Sequence, residues 1–152
     1  MKGTVVQIVL RPARDEAAVV VETATAVAER GLSGDRRTAK RGGDRQVTLV
    51  AEHDLVDAAA LLGAPIPHEK TRRNILVRGL ALTELDVGTR LLIGEVELVV
   101  RGPCDPCDRM NDALGEGARA ALEGRGGVVA QIAKGGVLKK GDAIRVVAAD
   151  SD

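Results

Sequence analysis

A mainly β fold of the α+β class, a small barrel with a few short helices, is what this sequence predicts, and three observations predict it. Short apolar runs of strand length recur along the chain, at residues 4–10, 46–50, 90–100, 128–132 and 143–147. Between them, 18 glycines and 5 prolines punctuate the chain often enough to favour a barrel or sandwich over long helices. Phe, Tyr and Trp are all absent, so the core must be built from Val, Ile, Leu and Ala, whose β-branched members suit a pleated surface.

The length of 152 residues suits one domain, spanning 1–152 with a core of about 3–148. A chain of this size buries roughly 68–70% of its unfolded surface, so the core needs neither a metal nor a disulfide to complete it. Lys plus Arg and Asp plus Glu both total 22, giving zero net charge and no global field to attract a polyanion. Any anion site must therefore be local. Without aromatic side chains there is nothing on which an unpaired base can stack, so nucleic acid is not an expected partner. No basic segment followed by a long apolar one opens the chain, which sets the expectation of a cytoplasmic protein with no membrane partner. Two cysteines in that compartment are more often catalytic or metal-binding than a structural disulfide.

In chain order, residues 4–10 read as a strand stopped by Arg11-Pro12, where proline removes a ladder donor. Residues 19–27 read as one further strand, although interspersed alanines leave a helical reading open. Gly34-Asp35 is a turn dipeptide, and five basic residues follow between Arg36 and Arg45, as a solvated loop or an anion-facing lid. The alternating strand 46–50 leads into a helix over 51–63, with Leu55, Ala59 and Leu62 on one face and Gly63 at its C-terminal stop. His53 reads as a surface residue, and with His68 the sole other histidine a two-histidine metal site finds little support. Pro65 to His68 is a loop. Arg72-Arg73 then enters a strand, in which the two would point to opposite faces unless they lie just before it starts.

Two β runs flanking Gly94-Glu95 predict a hairpin. Residues 112–122 predict one or two short helical turns closed by Gly124, and 128–132 and 143–147 are the last strands. The hairpin's second run feeds Arg101-Gly-Pro-Cys-Asp-Pro-Cys-Asp-Arg-Met-Asn111, a loop holding both cysteines. Locally it reads equally as a redox pair, half of a metal site or a sulfur ligand.

The ordered series Gly31-Leu-Ser-Gly-Asp35, Gln46-Val-Thr-Leu-Val50, Arg72-Arg-Asn-Ile75 with Gly79-Leu80, residues 85–93 with Gly88, Pro106-Cys107, and Gly135-Gly136 with Gly141-Asp142 resembles the MOSC domain. That family is named for the C-terminal domain of molybdenum cofactor sulfurases and also occurs as stand-alone bacterial proteins. The resemblance implies a β-barrel similar to the barrel domain of pyruvate kinase. It implies that Cys107 is a sulfur carrier or molybdenum ligand, with Cys104 as an accessory thiol. Arg72, Arg73 and Asn74 look like the family's basic pocket, and Asp35 and Arg109 complete the residues it assigns to cofactor binding.

The implied cofactor is the molybdenum cofactor, molybdopterin; pyridoxal phosphate would be an annotation inherited from multidomain relatives, because no desulfurase domain is present. The implied roles are cofactor carriage, sulfuration, or reduction of N-hydroxylated substrates, with a sulfur-donor or redox protein as partner. Thiolate chemistry of either kind suits Cys107, since persulfide transfer and soft-metal ligation both need the deprotonated sulfur. The pterin's phosphate calls for a guanidinium fork such as Arg72 or Arg73. Two other readings stand beside this one. Cys104-x-x-Cys107 can serve a non-catalytic barrel as a redox or metal clip, though one pair gives zinc half of its usual ligands. A nucleic-acid or other anion-binding barrel using the Arg36–Arg45 loop is opposed by zero net charge and the missing aromatics.

Overall fold

The strands alternate apolar and polar side chains, and that alternation needs a surface with one dry face. In the computed structural model, which describes residues 2–107 and 109–149, a closed barrel supplies it. The strands are β1 Lys2–Leu10, β2 Val19–Val21, β3 Thr23–Val27, β4 Gly31–Leu32, β5 Val47–Ala51, β6 Ile75–Arg78, β7 Arg90–Ile93, β8 Val96–Pro103, β9 Val128–Lys134, β10 Gly136–Lys139 and β11 Ala143–Val147. Strands run in the order β11-β7-β8-β9-β5-β6-β1, and β1 then pairs with β11, so the seven form a closed barrel. Closure is antiparallel, Lys2 opposite Arg145 and Thr4 opposite Ala143. Strand β1 is long enough to do two jobs on one edge: residues 2–4 close the barrel, and residues 8–10 pair with β2. A bulge between Val5 and Gln7, in its pairing with β6, helps it bend from one partner to the other.

Strands β5 and β6 form the one parallel pair among those described, Leu49 opposite Ile75. A parallel pair needs a crossover, and the helix α1 Glu52–Leu62 provides it. The pair is apolar on both faces because both faces are covered. Val47, Leu49, Ala51, Ile75 and Val77 point into the barrel core. Val50 and Leu76 point outward into a second cluster with Leu55, Ala58, Met110 and Leu122, under α1, α2 Arg109–Leu114 and α3 Ala118–Ala121. Gly63 ends α1 in the left-handed region, φ 77°, its N–H donating to the Ala59 carbonyl. Leu55 and Ala58 are the buried apolar residues of that face, while Ala59 and Leu62 are half-buried.

Three expectations need correction. Residues 19–27 are two strands, because the chain bends at Glu22 and passes from the barrel edge to a second sheet, β10-β3-β4. The alanines that suggested a helix are there for space: Ala24 and Ala26 face the core beside Leu32 and Leu138. Residues 136–139, between the two strands expected to be the last, form a further strand against β3, Val137 opposite Thr25. The helical region starts at Arg109 rather than Asp112; its two short pieces, parted by Gly115 and Gly117 at positive φ, match the one or two turns expected. The Gly94-Glu95 hairpin forms as expected, Ile93 opposite Val96. Among the described residues no helix is long and apolar enough to cross a membrane.

Candidate functional site

Proline after Arg11 ends β1, and the side chain of Arg11 turns inward to meet Asp35. The carboxylate accepts from Arg11 Nε at 3.1 Å and Nη2 at 2.9 Å, from the Arg11 amide at 2.9 Å and from the Arg37 amide at 3.0 Å. It also accepts from Asn74 Nδ2 at 2.9 Å, and Asn74 Oδ1 in turn accepts from the Thr48 amide and hydroxyl. Burial alone would raise the Asp35 pKa; the Arg11 hydrogen bond and charge, with the two amides, outweigh it and hold the carboxyl below its ordinary value. Asp35 and Asn74, both assigned to cofactor binding by resemblance, are therefore brought together as a buried polar hub. Their polar atoms tie β1, β5 and the turn before β6 to each other.

Arg72 and Arg73 precede β6, which resolves the strand-face question: they sit in the turn, and Arg72 takes φ 60°, rare for a residue with a side chain. Arg72 donates to the Glu16 and Ala13 carbonyls at 2.9 and 3.0 Å, fastening the loop after β1. Arg73 is 3% exposed, and its guanidinium donates to the carbonyls of Gly126 at 2.7 Å, Cys104 at 3.1 Å and Asp105 at 3.3 Å. It is the clasp that sets the cysteine loop against the barrel. Cys104 is buried under that clasp, whereas Cys107, three residues on, is exposed; both are free thiols. Asp108 lies outside the described residues.

Cys107 lines two adjoining cavities. One is an open basin of about 1140 Å³ lined also by Arg14, Arg37, Lys40 and Asp44. The other is a narrow cleft of about 70 Å³ lined also by Lys70, Thr71, Arg72 and Arg73. Arg11, Arg36, Arg45 and Arg109 line both. Ten of the chain's 22 basic residues thus surround this one thiol, against one acidic residue, Asp44, among the described lining. Of the ten, Arg11 alone is in an ion pair among the described residues. Crowding shows in the titration of the group. Burial first, then the charges of Arg11, Arg14 and Arg109, lowers the Arg36 pKa; burial, then Arg11, Arg36 and Arg109, lowers that of Arg72.

The loop 36–45 is the larger wall of the basin. Asp35 caps its first turn, and Arg37 organises the remainder by donating to the carbonyls of Arg30, Lys40, Gly42 and Arg45. The segment read as a solvated loop or an anion-facing lid forms one side of the basin, Arg36, Arg37, Lys40, Asp44 and Arg45 lining it. Lys70, Arg14 and Arg11 were not among the sequence-derived candidates. Nothing in the local pattern marks them, since each is a basic residue next to a turn. His53 is exposed, as expected.

A family model for the MOSC domain matches residues 34–145. The chain belongs to the MOSC domain family. Solved structures agree on the fold. The YUAD protein from Bacillus subtilis superposes with a TM-score of 0.84 at 21% identity, covering 99% of this chain and 98% of that one. YiiM from Geobacillus stearothermophilus gives 0.76 at 17% identity, covering 95% and 75%. YiiM from Escherichia coli gives 0.75 at 19% identity, covering 100% and 72%. No curated protein matches the chain by sequence. Within this MOSC fold, the arginine motif and the cysteine loop lie apart in sequence and meet at Cys107. Among the described residues no group of three or more His, Cys, Asp or Glu can hold a metal ion, so the metal-clip alternative has two thiols to offer, one of them buried.

Proposed function

We propose that this MOSC protein binds the molybdenum cofactor in the cavities around Cys107, as a cofactor carrier, a sulfurtransferase or a reductase of N-hydroxylated substrates. The observation that carries the reading is the single exposed thiol on the boundary between a narrow basic cleft and a wide basic basin. A group with a soft-metal end and a phosphate end fits that donor set. The Cys107 thiolate is the soft ligand or sulfur carrier. Lys70 and Arg72 at the cleft offer charge to the phosphate, Arg72 through its charge alone because Nη1 and Nη2 donate to the Glu16 and Ala13 carbonyls. Arg73, Asn74 and Asp35 act as positioning residues: their hydrogen bonds are spent on the backbone and on each other, and they hold the cleft and cysteine loop in register. When bound, the cofactor supplies the metal centre for sulfuration or reduction. Sustained turnover calls for a sulfur-donor or redox protein as partner.

The test uses the protein made in cells that synthesise the cofactor. Because the chain has no Trp, Tyr or Phe, a bound pterin dominates its near-ultraviolet spectrum. The expected result is a pterin band and close to one molybdenum per chain for wild type, with metal lost in Cys107→Ser. Absence of both from wild type, under conditions that load a control protein, overturns the proposal.

A further inference from the structure

The cation count around Cys107 exceeds what one cofactor uses. A phosphomonoester carries about −1.5 to −2 charges at neutral pH. Nine of the ten lining cations have no carboxylate partner among the described residues. The surplus is placed rather than scattered: Arg14, Arg37 and Lys40 line the basin alone, and Lys70, Arg72 and Arg73 line the cleft alone. Of these, Arg72, Arg73 and Arg37 spend guanidinium donors on backbone carbonyls, whereas Arg14, Lys40 and Lys70 are exposed. The cleft, at about 70 Å³, is far smaller than the ~300–1,000 Å³ usual for a small-ligand site. The basin, at about 1140 Å³, is larger than the ~300–1,000 Å³ usual for one small ligand.

The geometry points to a second anion site in the basin, centred on Arg14 and Lys40, that takes a phosphorylated small molecule as the reactant presented to Cys107. This rests on the cofactor reading, in which the cofactor's phosphate takes the cleft and its pterin and metal end lie in the part of the basin beside Cys107. The like charges of Arg11, Arg14 and Arg109 around Arg36 make an anion there self-reinforcing, since each bound negative charge relieves several repulsions at once. A polynucleotide is a poorer match. The chain's zero net charge gives no long-range attraction, and it has no aromatic on which a base can stack. The bound part is therefore the phosphate, or two phosphates in a row.

Calorimetric titration of the cofactor-free protein with inorganic pyrophosphate, at constant ionic strength, tests the partition. Two sites per chain are expected. Arg14→Gln with Lys40→Gln weakens one of them at least tenfold and leaves the other; Lys70→Gln does the converse. All three side chains are exposed, and matching melting curves in the absence of ligand verify that the variants fold. Cofactor-loaded protein is expected to keep the site dependent on Arg14 and Lys40, and the double variant to keep its molybdenum. A single site on the cofactor-free protein, indifference to the double substitution, or loss of all pyrophosphate binding on loading overturns the inference. If the protein never loads cofactor but shows two sites split by these variants, the cofactor reading falls and the basin site stands.

Discussion

His68 carries a pH signature that can be worked out from one contact. It is 4% exposed, and its Nε2 lies 2.7 Å from the Arg73 carbonyl oxygen; that oxygen can only accept, so Nε2 carries the hydrogen. Nδ1 is left as a buried lone pair with no partner among the described residues. Burial pushes the pKa down from 6.5 to about 4, against the opposing influence of the Arg73 carbonyl and Glu69. The unfolded chain therefore takes up a proton as pH falls below 6.5, and the folded chain resists until about 4. Stability is complete above that window and declines through it by roughly 3 kcal/mol, at about 1.4 kcal/mol per pH unit. Urea unfolding at pH 7 and 4.5 should show His68→Gln, which can keep the donor to Arg73, losing distinctly less than wild type. Parallel losses would reassign the effect. The sequence offered no sign of this histidine's burial, because its single polar partner is a backbone carbonyl supplied by the turn before β6.

At the scale of elements, the cysteine loop shows how backbone proximity fixes a reactive side chain. Gly126 precedes β9 at a position where an added Cβ would stand 2.3 Å from the Cys104 carbonyl oxygen and 3.2 Å from Arg73 Nη2. The site demands a residue without a side chain. Gly126→Ala should push the Cys104 carbonyl off the Arg73 clasp, at a cost of about 1–3 kcal/mol of overpacking. It should also unmask the inner thiol. In the native wild type, a thiol reagent is expected to modify Cys107 quickly and Cys104 only on unfolding; in the variant both should react, and continued protection of Cys104 would contradict the clasp. From the sequence the two cysteines differed only through the resemblance to MOSC proteins. The structure supplies the physical difference, one thiol under a buried guanidinium and one in solvent. The division of residues 19–27 was equally hidden, since Val19–Val21 and Thr23–Val27 are both strand-like and the composition does not mark the bend at Glu22.

For the whole molecule, the seam between β1 and β11 is decisive. It joins residues 2–4 to 143–145, almost the full length of the chain apart, and it seats Ile144 in the core. Removing everything from Ala143 onward would leave β1 and β7 with open edges and Ile144's place vacant, and open apolar edges recruit other chains. That shortened protein should elute as aggregate and lack the parent's β-type circular dichroism; a soluble form with an unchanged spectrum would show that the seam is dispensable.

Composition and periodicity alone determined that this is a β-rich chain with an aliphatic core, where most strands and the main helix lie, and that both thiols share one loop. These are local matters, set by which face of each element is apolar. What tertiary structure decided is the charge map and the division of labour within it. Overall neutrality concealed ten cations around one thiol, because the loops after β1, before β5, before β6 and after β8 meet only when the barrel closes. It also turned Arg11, Asp35, Arg73 and Asn74 inward as architecture and left Arg14, Lys40 and Lys70 outward. An arginine next to a turn reads the same in either case, and the partner that settles its role lies on another strand.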